Sequence, residues 1–185
     1  MIPRSLVFLF VLLWCQAGFA TTVVYVDVPE MTRASALILH GSVETVHTRN
    51  LGTAKAPRIV TDIKLRVHRV LKGKNRGPEF TLRLIGGTID GQSMKVPGTP
   101  AFRPEEEVLL FLEWTGENFT LCGLAQGKFT IDRDHSDKPQ AHRSLEGLCV
   151  LKTDSAQPNR IEHASGPEAP IALDSLLTTI RTHLR

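Results

Sequence analysis

The strongest constraint on how this chain folds lies between Ile59 and Leu71, where Thr61, Ile63, Leu65 and Val67 alternate with Asp62, Lys64, Arg66 and His68. A period of two sends successive side chains to opposite faces of a β-strand, so one face of this segment is core and the other meets water. The alternation slips at Arg69-Val70-Leu71, and Lys72-Gly73-Lys74-Asn75-Arg76-Gly77-Pro78 then supplies a turn rich in breakers. Phe80-Thr81-Leu82-Arg83-Leu84 resumes the pattern until Gly86-Gly87 interrupts it.

Other segments read the same way. Leu37–Val46 is strand-like, with Gly41 marking a bend or bulge inside it. Residues 86–104 carry Gly86, Gly87, Gly91, Pro97, Gly98, Pro100 and Pro104, a density that predicts a loop with at most a short edge strand at Ser93–Val96. Val108–Trp114 is the next apolar strand, and Gly116-Glu117-Asn118 turns it into Phe119–Leu121. A further hairpin is expected from Gly127–Asp132 to residues near Ala141, turning through Arg133–Pro139. Short strands at this spacing predict a mainly β fold built as a closed or partly closed antiparallel barrel.

Two helices flank it. Asp27 sits at an N-cap position with Pro29 in the first turn and Met31 and Ala34 as buried positions, ending within about two turns. Leu173, Leu176, Leu177, Ile180 and Leu184 recur at helical spacing, with Asp174 near the start and Arg181 and His183 near the end, as in an amphipathic C-terminal helix docked on the barrel. Between them, Thr153–Pro170 is rich in Ser, Pro, Asn and Gly and reads as an exposed polar connection. The expected division is a signal peptide over 1–20, a β-barrel domain over 21–152, the connection over 153–170 and the C-terminal helix over 171–185.

The leader has the layout of an export signal: Arg4 is the positive end, Ser5–Trp14 an apolar run, and Gly18-Phe19-Ala20 offers small residues for cleavage after Ala20. The run is shorter than the roughly 20 residues that span a bilayer, so no stable membrane anchor is expected. Trp14 before Cys15 is too bulky for a lipobox. Loss of Arg4 takes the 22 Lys+Arg against 19 Asp+Glu to 21 against 19, a balance that calls for no polyanion partner. Loss of Cys15 leaves Cys122 and Cys149, an even pair for which an oxidising destination suggests a disulfide. The expected address is secreted or periplasmic.

Motifs that carry chemistry are missing. The seven histidines, at 40, 47, 68, 135, 142, 163 and 183, form no HExxH helix and no close ligand spacing, so neither metal nor cofactor is expected. His68 reads as a solvated residue on the wet face of its strand. Asp132-Arg133-Asp134-His135-Ser136-Asp137 lacks the Gly and distal Glu of an EF-hand loop and reads as a polar hairpin tip. There is no GxSxG elbow, and adjacency alone does not make His135-Ser136-Asp137 a triad. A Cys149/His142 thiolate pair competes with the disulfide use of Cys149. Glu105-Glu106-Glu107 looks like a solvated lead into the strand at Val108. Lys64, Arg66 and His68, with Lys72, Lys74 and Arg76 after them, are the main basic concentration, but no aromatics interleave with them and nucleic acid is not an expected partner. No catalytic residue is assigned, and the chain does not read as an enzyme.

Ser35-Ala36-Leu37-Ile38-Leu39-His40-Gly41-Ser42-Val43, Leu65-Arg66-Val67-His68-Arg69-Val70-Leu71-Lys72-Gly73 and Pro104-Glu105-Glu106-Glu107-Val108-Leu109-Leu110-Phe111-Leu112 occur in that order, followed by Leu124-Ala125-Gln126-Gly127-Lys128-Phe129. Together they resemble a recurrent domain of exported bacterial proteins, which is distantly similar to the OB-fold domain of tissue inhibitors of metalloproteases. The resemblance covers about residues 30–151 and implies a five-stranded, OB-like barrel. It carries architecture and not activity, because one fold hosts many functions. Those inhibitors use a Cys at the mature N-terminus to chelate the protease zinc, whereas cleavage after Ala20 would leave Thr21 there. The expected function is a secreted or periplasmic, non-enzymatic binding module for an extracytoplasmic protein or ligand, with the Gly86–Pro104 loop and the Lys64/Arg66 face as contact regions. The alternative is an inhibitor or accessory protein of an exported protease.

Overall fold

The computed structural model describes residues 21–53, 55–74, 77–133, 138–146, 148–154, 157–164 and 167–184. The leader over 1–20 and the hairpin tip at 134–137 lie outside the described residues. The chain runs β1 (Thr21–Val24), α1 (Val28–Ala34), β2 (Leu37–Asn50), β3 (Ile59–Lys72), β4 (Glu79–Ile85), β5 (Gly87–Ile89), β6 (Gln92–Met94), β7 (Glu107–Trp114), β8 (Phe119–Leu121), a 3₁₀ turn (Leu124–Gly127), β9 (Lys128–Asp132), β10 (Gln140–His142), β11 (Leu148–Asp154), β12 (Gln157–Ala164), β13 (Ile171–Ala172) and α2 (Leu173–His183).

The alternating segment is β3, paired antiparallel with β2 on one side and β4 on the other. β7 lies on the far side of β2, giving a main sheet in the order β13-β10-β9-β7-β2-β3-β4, with β8 also on β7. β1 runs parallel to β11, which pairs with β12 in a separate three-stranded sheet, and β5 and β6 form a hairpin. The described residues are mainly β, with two helices among them. The expected closed barrel is not formed: among the described residues no sheet closes on itself, because the path ends at β4 and β13 without a ladder between them.

Alternation in β2 and β7 explains why the main sheet is apolar on both faces. Leu37, Leu39, Val43, Ile63, Leu65, Leu82, Leu110 and Leu112 pack on one side. Ile38, Leu109, Phe111 and Phe129 pack on the other, beneath Met31 of α1 and Leu173, Leu176, Leu177 and Ile180 of α2. Fully burying one such side chain contributes about 1.5–3 kcal/mol, so the stripe at 173, 176, 177 and 180 is sufficient reason for α2 to dock. α1 starts where Asp27 Oδ1 accepts from Glu30 N at 2.7 Å and stops where Ser35 N donates to Met31 O.

Two further expectations are corrected. Composition over 153–170 suggested a polar connection, yet β11 continues to Asp154 and β12 occupies Gln157–Ala164. Pairing to β11 satisfies the backbone whatever the side chains prefer. No disulfide joins Cys122 to Cys149. Cys122 is buried in the core beneath the helices, where burial pushes its thiol above the usual value, while Cys149 lies on β11 opposite Thr22 of β1.

Arg143, only 3% exposed, ties the two sheets together. Its guanidinium donates to the Tyr25 hydroxyl at 2.7 Å, to Val26 O at 3.1 Å and to Glu168 Oε2 at 2.5 Å, and it stacks near the rings of Tyr25 and Phe129. Removing one partner of a buried ion pair strands the other, so Arg143→Met is expected to cost about 3–5 kcal/mol, measured by urea unfolding. On the main sheet Asp62 of β3 accepts from Arg83 of β4 at 2.6 Å and from Arg49 of β2. Arg83 foremost, with Arg49, holds the Asp62 carboxyl below its ordinary value. A depressed acid stabilises the folded state above its unfolded pKa and loses that contribution as pH falls through the folded one. Asp62→Asn is therefore expected to lose about 1 kcal/mol at pH 7, with the gap to wild type closing as unfolding is measured at pH values below about 4.

Candidate functional site

β7 begins within the run Glu105-Glu106-Glu107, and the period of the strand sends Glu106 and Glu107 to opposite faces of the sheet. The run is thus not merely a solvated lead into β7. Each of the two carboxylates is the centre of a separate charged cluster.

Glu106 faces Lys128 of β9, whose side chain is almost wholly enclosed. Lys128 Nζ donates to Glu106 Oε1 at 2.7 Å and to Ala101 O at 2.6 Å, and lies 4.4 Å from the centroid of Phe102. Thr130 Oγ1 donates to the same Glu106 oxygen at 2.7 Å, and Arg103 N donates to Oε2 at 3.1 Å. Burial pulls the Lys128 ammonium below the usual lysine range, against an opposing pull from Glu106.

This anchor fixes one end of the Gly86–Pro104 segment. The other end is held where Thr61 Oγ1 donates to Gly86 O at 2.7 Å, and the middle where Ala125 N donates to Gly98 O at 2.9 Å. Gly98 has φ +78°, and a Cβ there would come within 2.5 Å of Leu148, so the close approach to β11 needs a glycine. Stitched at three points, the segment borders clefts of about 370, 470 and 830 Å³, with Val96, Thr99 and Pro100 in the wall of each. The largest of the three carries the polar groups: Lys95, Arg103 and Lys128 face it together with Glu106, Thr130, Ser144 and Glu146.

Glu107 projects to the helix-bearing face. His40 Nε2 on β2 donates to Glu107 Oε1 at 2.6 Å, and Arg133, just beyond β9, donates to both carboxylate oxygens at 2.7 Å. His40 and Glu107 are 12% and 17% exposed at their side chains. Arg133 foremost holds the Glu107 carboxyl low, while burial lowers His40 against the pull of Glu107. His68 of β3 completes the cluster, its ring 5.5 Å from that of His40 in an edge-on arrangement and its Nε2 3.2 Å from Ser42 Oγ.

His68 shares this face with Arg66, which lies opposite Ser42 as Glu107 does, and a bulge falls at this point of the ladder. His40 is opposite Arg69 and Gly41 is opposite Val67, so His68 is the extra residue of β3. A Cβ at Gly41 would lie 2.4 Å from Arg66 O, so only glycine lets β3 cross this closely. The slip in alternation at Arg69 and the glycine at 41 were the sequence signals of the bulge. What they could not show is which strand's carboxylate the two histidines meet.

The other sequence candidates are not brought together. Lys64 pairs with Glu79 and Glu44, and Arg66 with Glu44, so that basic face is largely self-neutralised within its own sheet. His142 lies on β10 near Asp132, and Cys149 lies on β11 in a different sheet. No helix among the described residues is long and apolar enough to cross a membrane. No protein-family model, curated protein or solved structure matches this chain.

Lys128 and Glu106 are predicted to depend on each other. Lys128→Met and Glu106→Gln are each expected to destabilise the fold by about 3–5 kcal/mol, because each leaves a buried charge without its counterion. The double variant should lose clearly less than the sum, read as a coupling energy in a thermodynamic cycle of urea unfolding.

Proposed function

We propose that this protein is a secreted or periplasmic binding module that performs no chemical turnover and holds an extracytoplasmic protein in the clefts along its Gly86–Pro104 segment. The observation that carries the reading is the placement of Val96, Thr99 and Pro100, which border all three clefts from a segment fixed at Gly86, Gly98 and Ala101. A wall held in place before binding lowers the ordering cost that a free loop would incur on complex formation. Mixed charge in the largest cleft favours a polypeptide over a polyanion. The export-like leader over 1–20 supports the address.

An OB-like architecture belongs to the same reading. β2, β3 and β4 form a meander, β7 returns to the far side of β2, and β9 follows β7. Five strands so paired match an OB barrel short of its closing ladder between the third and fifth strands. The distant resemblance to exported bacterial domains and to the inhibitor OB-fold is consistent with that order, and no inhibitory mechanism is carried over with it.

The test is affinity selection with the purified protein on exported proteins, followed by measurement of the affinity of any enriched partner for three variants. Thr99→Arg, which fills the clefts, is expected to weaken the complex at least about tenfold. Lys64→Ala and Arg66→Ala, on the self-neutralised face, should leave it unchanged. A partner whose affinity ignores Thr99→Arg, or chemical conversion of the partner by the wild-type protein, would overturn the proposal.

A further inference from the structure

We propose that His40, His68 and Glu107 form a binding site for a divalent transition-metal ion, Zn²⁺ in the first instance, with Arg133 as the cation that occupies Glu107 in the metal's place. One ligand atom from each of the three residues lies within 4.8 Å of the others. Tetrahedral zinc with bonds of about 2.0–2.1 Å needs donor atoms about 3.3 Å apart, so modest rotation of three side chains gathers the set. Two imidazoles and one carboxylate are a donor set that suits zinc, and with three protein ligands the remaining position falls to water.

The backbone places these ligands. His40, His68 and Glu107 come from three neighbouring strands, β2, β3 and β7, whose ladders fix their relative heights. Ser42 lies opposite both Arg66 and Glu107, so His68, two residues beyond Arg66 on β3, shares the face of Glu107 and His40, where its ring meets that of His40 edge-on.

The cluster is poised between two cations. Glu107 is already arranged to hold a positive charge, and Arg133 supplies it from a side chain 52% exposed at the end of β9. An exposed guanidinium can leave for solvent at little cost, whereas His40 and Glu107 stay enclosed. Neutral imidazole carries one hydrogen over two nitrogens. His40 therefore frees Nε2 for a metal by holding that hydrogen on Nδ1, with no change of charge. Ser42 Oγ, 3.2 Å from His68 Nε2, is positioned to orient the second ring.

Titration of the purified protein with Zn²⁺ by calorimetry, and with Co²⁺ by visible absorption, tests the site. One equivalent is expected, with a Co²⁺ spectrum of low-coordinate type. His40→Ala and His68→Gln should each weaken binding at least about 100-fold, and Arg133→Gln should tighten it about tenfold by removing the competing cation. The gain in the Arg133 variant cannot come from misfolding, and His68 is exposed enough to be replaced without disturbing the core. No stoichiometric binding by wild type, or affinity indifferent to both histidine variants, would overturn the site and leave the cluster as a hydrogen-bonded latch between β2, β7 and the end of β9.

Discussion

β2 and β3 pair from Asn50 opposite Ile59 to Ile38 opposite Lys72, and three register shifts interrupt the ladder on the way. A ladder of this length fixes the backbone of both strands, and each shift adds local twist and bend. Every other part of the main sheet takes its position from this pair. β4 extends it on one side, β7 on the other, and the helices cover the face that carries Ile38. Gly41 is the residue that permits the closest part of the crossing.

The same geometry explains why charge is concentrated at the start of β7. Adjacent residues of an extended chain point in opposite directions, so Glu106 and Glu107 meet different strands and different cations. Glu106 finds Lys128 and Thr130 of β9 on the side of the clefts, and Glu107 finds His40 and Arg133 on the side of the helices. One sequence run thereby anchors the wall of a cleft on one face and a candidate metal centre on the other. The two sites share β7 and β9, so a shift in this strand pair would be felt on both faces.

Arg143 and Lys128 play parallel roles. Each is a cation almost removed from water, each is shared between a carboxylate and a backbone carbonyl, and each lies over an aromatic ring. Arg143 joins the segment after β1 to the segment before β13, and Lys128 joins the Ala101 region to β9. Buried ion pairs add less net stability than their Coulomb attraction suggests, because desolvation opposes it. Their effect here is to choose one placement for long connections that have few apolar side chains of their own.

Much of the framework is legible in the sequence because it depends on local periodicity. Alternation marks β3 and β4, Asp27 marks the start of α1, and the spacing of Leu173, Leu176, Leu177 and Ile180 marks α2, since each is a pattern set by one element's own geometry. The slip at Arg69 and the glycine at 41 even announced a bulge. Barrel closure, β12 and the absence of a Cys122–Cys149 bridge were not legible, since each depends on which strand ends meet in space. His40 and Glu107 are 67 residues apart along the chain and 2.6 Å apart in the fold. The sequence by itself determined that the chain is mainly β, where the two helices among the described residues lie and which faces are apolar. Only the tertiary structure decided that strand register and an exposed arginine would gather two histidines and a carboxylate, because register between distant strands is set by packing that no single segment encodes.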